Sequence, residues 1–167
     1  HPDADFNPRL ASDGKSVYFI STRSGSSQIW QIPIDGGEAR QITDEPLDVG
    51  NLIISRDEGY LAFTMEVFPD SNGPAETRKR LDEIEQKRST GRIYENIFVR
   101  HWDTWKDGRR SHLFVMPVDG GDAVDLMKGM DTDTPSKPFG GPEEITFNPN
   151  GKRIVFSARD VGSEEPW

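Results

Sequence analysis

The chain repeats itself, and this repeat constrains the fold more than any other feature of the sequence. The segment IPIDGGEARQIT (32–43) reappears as MPVDGGDAVDLM (116–127), with the DGG triplet in register and apolar residues at matching places. Self-similarity of this kind is the signature of an array of equivalent structural units. The two segments are therefore two copies of one unit.

A second element precedes each copy and occurs three times. ASDGKSVYFIS (11–21), SRDEGYLAFTM (55–65) and NPNGKRIVFSA (148–158) align on a shared phenylalanine, which is Phe19, Phe63 and Phe156. The first two phenylalanines are 44 residues apart, as expected for a four-stranded propeller blade of about 40–45 residues. The third lies 93 residues beyond the second (63 to 156), because the second unit carries an insertion.

Within each unit the apolar residues alternate with a period of two. Trp30 and Ile32 share one face of a predicted strand, and Phe114 and Met116 share the equivalent face in the second unit. Strict alternation is typical of strands, and the Asp-Gly and DGG turns supply residues that accept the positive φ of a tight reversal. A single four-stranded sheet of this kind cannot bury both of its faces, so the units must stack.

The predicted fold is therefore all-β: a partial β-propeller of four-stranded antiparallel blades, about two and a half blades, with a helical insertion. The whole chain, residues 1–167, is interpreted as a fragment of one propeller domain. The predicted blades are 7–44, 49–129 with an insertion at 71–107, and an incomplete blade at 141–167.

The insertion begins with a predicted helix at residues 73–88. Pro74 suits the first helical turn, and opposite charges such as Glu76 and Arg80 are spaced four residues apart for pairing on the helix surface. Leu81 and Ile84 form too narrow an apolar stripe for deep burial. The pattern favours a solvated arm that rests lightly on the propeller, with a partner-binding element as the alternative.

Composition excludes several function classes. With 20 basic and 29 acidic residues the net charge is −9, which disfavours binding to nucleic acid and to anionic membrane surfaces. The chain has no cysteine, so it can form neither disulfides nor thiolate metal sites. DTDT (131–134) lacks the glycine and the distal glutamate of a calcium loop, and an acidic surface loop is the better interpretation. Neither a metal nor a cofactor is predicted.

The repeats resemble those of TolB-type propellers and of the prolyl oligopeptidase family of serine peptidases, in which SPDGK…AF and DGG…LT recur in each blade. The aromatic-rich run at 92–121, which contains RHWDTW, looks like the dipeptidyl aminopeptidase or acylaminoacyl-peptidase-like branch of that family. The resemblance implies a propeller stacked on an α/β-hydrolase domain that holds a Ser, Asp and His triad and is reached by short peptides.

The chain itself contains no candidate for the nucleophile of that triad. The G-x-S-x-G elbow is absent, and GKSVY (14–18) is the closest approach to it. His112 aligns with Gln28 of the first unit, so it is interpreted as a strand residue. We therefore predict that this chain alone is not an enzyme. The resemblance implies that its parent protein is a serine-type exopeptidase or oligopeptidase.

The stretch RHWDTW (100–105) stands out for its density of aromatic and charged side chains. The favoured interpretation is a structural clasp that anchors the insertion to its blade at one mouth of the propeller. The alternative is a substrate-facing patch, in which acids beside aromatic rings hold a substrate ammonium. The candidates for both roles are Glu95, Arg100, His101, Trp102, Asp103, Trp105, Glu143 and Glu144.

The predicted function is the propeller portion of a serine peptidase that gates peptide access to a separate α/β-hydrolase domain of the same parent chain. The alternative is a non-catalytic, TolB-like propeller that binds proteins. Because an open propeller leaves blade faces uncovered, we also expect the isolated chain to self-associate. Family habit and the absence of cysteine favour a periplasmic or secreted location, with the cytoplasm as the alternative.

Overall fold

The structure is a computed structural model that describes residues 3–89, 91, 100–101 and 104–160. Its first sheet has four antiparallel strands. They are β1 (Asp5–Leu10), β2 (Ser16–Ser21), β3 (Gln28–Pro33) and β4 (Arg40–Gln41), and they lie in the order of the chain. This is the meander that the repeat predicted.

The second unit begins in the same way and is then interrupted. β5 (Gly50–Ile54) pairs with β6 (Tyr60–Val67), and the insertion follows with helix α1 (Pro74–Glu85). Two short strands come next, β7 (Arg100–His101) and β8 (Thr104–Trp105), which have two residues each and form an antiparallel hairpin.

After the insertion the chain returns to the second sheet. β9 (Arg110–Pro117) pairs with the full length of β6, and β10 (Val124–Asp125) completes the order β5-β6-β9-β10. The DGG turns lie between the third and fourth strands of both sheets, and Gly36 and Gly120 have positive φ values of 108° and 104°. These values explain the glycines, because residues with a Cβ rarely adopt such angles.

The third sheet has two strands in the described part of the chain. A short 3-10 helix, η1 (Pro142–Glu144), leads into β11 (Ile145–Phe147), which pairs with β12 (Ile154–Phe156). The structure is thus a partial propeller whose sheets do not close into a ring, as predicted.

Two apolar clusters hold the three sheets together. The first lies between sheets one and two, and its fully buried members include Ile20, Ile29, Leu52 and Phe63. The second lies between sheets two and three and joins Ala62, Leu113 and Met127 to Ile145. Strands β5, β6 and β9 of the second sheet therefore contribute alternate residues to opposite clusters, which is the stacking that the period of two required.

Helix α1 lies on the surface of this stack. Thr77 is its one buried residue, Leu81 packs against the first cluster, and Ile84 is 43% exposed. The helix ends at Glu85, three residues before the predicted end. Across the described residues, no helix has the length and apolar character needed to cross a membrane.

One predicted ion pair of the helix is wrong. Arg80 does not pair with Glu76; its guanidinium lies 4.0 Å from the Phe68 ring centre and donates to Asp70 at 2.9 Å. Glu76 instead accepts the backbone N–H of Asn72 at 2.8 Å. The aromatic ring draws Arg80 towards the loop before the helix and away from the helix surface.

Deleting the helix is expected to have a small effect on stability. Replacing residues 74–85 with a short glycine linker should lower the free energy of unfolding by about 1–2 kcal/mol, because Leu81 is the main apolar contact that is lost. Urea denaturation of the chain with and without the deletion measures this. Loss of a cooperative transition would contradict the interpretation of the helix as a lightly attached arm.

Candidate functional site

A cleft lies at the end of the second sheet where β5 begins, β6 ends and β9 begins. The loops that enter and leave this sheet, and the last residues of the insertion, converge there around a cavity of about 610 Å³. This volume lies within the range of about 300–1,000 Å³ that is usual for ligand pockets. We call it the charged cleft, after the lining side chains Asp48, Glu66, Asp107, Arg109, Asp133 and Lys137.

Glu66, at the end of β6, lies between two cations. Its carboxylate is 2.6 Å from Lys137 Nζ and 3.6 Å from Arg109 Nη2. Arg109 also donates through Nε to Asp107 Oδ2 at 2.8 Å. These contacts connect three segments that are distant in sequence, namely β6, the end of the insertion and the loop before the third sheet.

Asp133 is the buried centre of the same network. Its Oδ2 accepts from Arg110 Nη1 at 3.0 Å, and its Oδ1 accepts the backbone N–H of Ser111 at 2.7 Å and lies 3.5 Å from Lys137 Nζ. Burial alone would lower the pKa of Lys137, but the carboxylates of Asp133 and Glu66 outweigh it and raise that pKa above 10.5. The two carboxylates therefore favour the charged form of Lys137.

This arrangement corrects the interpretation of DTDT as an acidic surface loop. Thr132, Asp133 and Thr134 are buried, whereas the side chain of Asp131 is 64% exposed. The loop turns inward because Arg110, at the start of β9, has a side chain that is only 11% exposed and needs a buried anion.

The contact between Asp133 and Ser111 recurs in the first unit. There Asp48 Oδ1 accepts the backbone N–H of Ser27 at 2.7 Å. In both units an aspartate from the loop that leads to the next sheet caps the start of the third strand. This pairing was detectable in the sequence, because Ser27 and Ser111 occupy matching positions of the repeat.

The predicted RHWDTW candidates lie only partly in the described residues. Glu95, Trp102 and Asp103 fall outside them, and His101 is described only as a residue of β7. Arg100 pairs with Trp105 across the hairpin, and its guanidinium lies 5.3 Å from the centre of the Trp105 ring.

Trp105 lines the charged cleft and is 47% exposed. This position suits a clasp at the mouth of the cleft and also a surface that touches a ligand. The choice between the two roles stays a prediction.

The two predicted glutamates of η1 have different surroundings. Glu143 is exposed, whereas Glu144 accepts from Ser157 Oγ at 2.5 Å and from the backbone N–H of Ser136 at 2.9 Å. In the second unit, Asn51 makes the matching contact, from Nδ2 to Thr64 Oγ1 at 3.0 Å. Glu144 thus occupies a repeated structural position in which the side chain ties the first strand to the second.

The surroundings of Glu144 predict a pH effect. The hydrogen bond from Ser157, followed by that from Ser136, lowers the pKa of Glu144 below 4.5. A depressed pKa in the folded state gives stability above the unfolded pKa, and this stability is lost as the pH falls through the folded pKa. We expect unfolding midpoints in urea to fall less steeply between about pH 5 and pH 3 for Glu144→Gln than for the unchanged chain. Identical slopes would contradict the predicted contribution.

His112 is a buried strand residue, as its alignment with Gln28 predicted. Its Nδ1 lies 2.9 Å from Asp125 Oδ2 and its Nε2 lies 2.9 Å from the carbonyl oxygen of Met130. Both ring nitrogens contact oxygen atoms of the protein and the side chain is 1% exposed, so the ring does not line the charged cleft. Among the residues described, no group of three or more His, Asp or Glu side chains could hold a metal ion.

Two complete four-stranded antiparallel sheets and the first strands of a third, stacked face to face, define a portion of a β-propeller. The match to TolB from Acinetobacter baumannii, with a TM-score of 0.52 over 93% of the chain at 18% identity, shows the same fold. So does the match to an acylaminoacyl peptidase bound to a peptide chloromethyl ketone, with a TM-score of 0.50 over 72% of the chain at 13% identity.

Relatives in sequence carry more specific names. The chain is 28% identical over 92% of its length to dipeptidyl-peptidase 5 of Porphyromonas endodontalis, and 29% identical over 93% to dipeptidyl-peptidase 5 of Porphyromonas gingivalis. It spans only 22% of the length of each of these relatives. No family model matches the chain. The predicted resemblance to the propellers of prolyl oligopeptidase-type peptidases is confirmed.

Proposed function

We propose that this chain is part of the propeller of a serine peptidase and that the propeller restricts access of peptides to a separate α/β-hydrolase domain of the same parent polypeptide. The observation that carries the proposal is the likeness over more than nine-tenths of the chain to two dipeptidyl-peptidases that are several times longer. In this proposal the chain supplies no catalytic residue, and the parent is a serine-type exopeptidase or oligopeptidase. A periplasmic or secreted location stays part of the proposal.

The charged cleft supports a role in handling short peptides. Its ion pairs fix both signs of charge on one wall, and the ring of Trp105 lies beside them. Fixed charges of both signs can pair with the termini and polar groups of an extended peptide, and an aromatic ring adds apolar contact area. In this proposal a flexible chain can enter the cleft, whereas a folded domain is too large for its volume of about 610 Å³.

A series of substrates tests the access role. The parent polypeptide is given peptides with the same amino-terminal residues but increasing length, and finally the same sequence at the terminus of a folded domain. We expect kcat/KM to fall by at least about tenfold from the short peptides to the folded substrate. Equal kcat/KM for all lengths would contradict a gate while leaving the peptidase assignment intact.

The variant Trp105→Ala separates the two roles of the RHWDTW stretch in the parent. A substrate-facing ring predicts a raised KM for short peptides with an unchanged unfolding midpoint. A clasp predicts a lowered unfolding midpoint with an unchanged KM. Val124→Ala, at a residue that is 57% exposed and does not line the cleft, is the control.

The alternative is a propeller that binds protein partners without catalysis. A parent gene that encodes no hydrolase domain would favour it. Peptidase activity of the parent would exclude it.

A further inference from the structure

Two asparagines of this chain are followed by glycine, Asn72 before helix α1 and Asn150 in the turn between β11 and β12. The Asn-Gly sequence favours deamidation, because glycine has no Cβ to hinder the approach of its backbone nitrogen to the asparagine side chain. Both asparagines are exposed. Sequence and exposure alone therefore predict equal reactivity for the two.

The turn around Asn150 engages both of its reacting groups. Asn150 Oδ1 accepts the backbone N–H of Lys152 at 3.1 Å, and the backbone N–H of Gly151 donates to the carbonyl oxygen of Asn148 at 2.9 Å. Gly151 is also buried, with the carboxylate of Asp57 packed against it. The turn must therefore open before the nitrogen of Gly151 can reach the Asn150 side chain.

The surroundings of Asn72 differ at both reacting groups. Its side chain makes no hydrogen bond among the described residues, and the contact of this residue with Glu76 Oε2, at 2.8 Å, uses its backbone N–H. The N–H of Gly73 lies 3.4 Å from Ser71 Oγ, beyond the usual hydrogen-bond range of about 2.7–3.2 Å. No strong hydrogen bond therefore holds the Gly73 nitrogen away from the Asn72 side chain.

We propose that Asn72 is a site of spontaneous deamidation, whereas Asn150 is protected by its turn. The Gly73 nitrogen attacks Cγ of Asn72, so an N–C bond forms and the Cγ–Nδ2 bond breaks. Nδ2 leaves as ammonia with the proton of the Gly73 N–H. Water then opens the cyclic imide to aspartate or isoaspartate, with no oxidation or reduction. The product has one more negative charge, so the net charge changes from −9 to −10.

Isoaspartate at residue 72 changes the start of α1. It carries the main chain through its side-chain Cγ, which adds one carbon to the backbone between residues 72 and 73. Glu76 holds the N–H of residue 72, and the carbonyl oxygen of Gly73 accepts the N–H of Thr77 at 3.1 Å. Because the added carbon lies between these two contacts, the first turn of the helix should become less stable in the isoaspartate form.

Mass mapping of the purified chain tests the proposal. The chain is kept at mildly alkaline pH, once folded and once in urea, and its peptides are scored for replacement of an amide by a carboxylate. Asn150 is the matched control within the same molecule, because it is also exposed and also precedes glycine. Asn72→Gln is the second control, since the longer side chain cyclises more slowly, and this variant should keep a net charge of −9.

In the folded chain Asn72 should convert at least about tenfold faster than Asn150, because two hydrogen bonds must first break at Asn150. In urea the two should convert at similar rates. Equal rates in the folded chain would overturn the proposal, and so would conversion of Asn72 in urea only. None of these results depends on the proposed peptidase function.

The consequence for the helix is measured on the isoaspartate form after its separation by ion exchange. The backbone N–H of Thr77 should exchange with solvent faster in this form than in the unmodified chain. An unchanged exchange rate would contradict the expected effect on the first turn.

Discussion

Replacing Asp133 with alanine is expected to lower the free energy of unfolding by about 3–5 kcal/mol, as for other buried ion pairs that lose one partner. The change leaves the guanidinium of Arg110, whose side chain is only 11% exposed, without its buried anion. It also removes the acceptor of the Ser111 N–H. Urea denaturation of the chain, monitored by tryptophan fluorescence, measures the loss.

Asp131→Ala is the matched control for this prediction. Asp131 contacts the same Arg110, at 2.7 Å through Nε, but its side chain is 64% exposed. An exposed ion pair contributes at most about 1 kcal/mol, so this variant should unfold close to the unchanged chain. Equal losses in the free energy of unfolding for the two variants would contradict the claim that the buried position of Asp133 makes its contribution larger than that of Asp131.

Phe114→Ala is expected to have a comparable cost of about 3–5 kcal/mol. Phe114 is fully buried in the first apolar cluster and stacks on Phe63 with ring centres 6.3 Å apart. Removing it opens a cavity that two packed sheets cannot collapse to fill.

Trp30→Ala in the isolated chain is the matched comparison. Trp30 occupies the same place in the first sheet, where no sheet covers it among the described residues. Its loss should therefore be smaller, about 1–2 kcal/mol, because less apolar area leaves the interior. A loss as large as that for Phe114 would contradict the expected difference between a residue packed between two sheets and one with a sheet on one side only.

The fold was largely predictable from the sequence because its information is local and repeated. The DGG turns need glycine at positive φ, and the alternation around Phe63 and Phe114 can bury two faces only if sheets stack on both sides. These two constraints lead to stacked antiparallel sheets without any knowledge of the tertiary structure.

The charged cleft was not predictable in the same way. Glu66 and Lys137 are 71 residues apart and do not belong to the repeat. The acidic run at 131–134 was misjudged because an aspartate-rich segment is usually solvated, and its buried cation, Arg110, lies outside it. The alignment of Ser27 with Ser111 could have indicated that the loop at 131–134 is buried. Using it required the two copies of the repeat to be compared over their loops as well as their strands.

Assays of the full parent polypeptide and of this chain, side by side on a dipeptidyl reporter amide, test whether the chain is a non-catalytic part of a serine peptidase. We expect that the parent hydrolyses the amide, that a serine-directed phosphonate abolishes this activity, and that the chain alone releases no product. Phosphonate-sensitive hydrolysis by the purified chain, or a folded parent that cleaves neither dipeptidyl nor acylaminoacyl reporters, would contradict it.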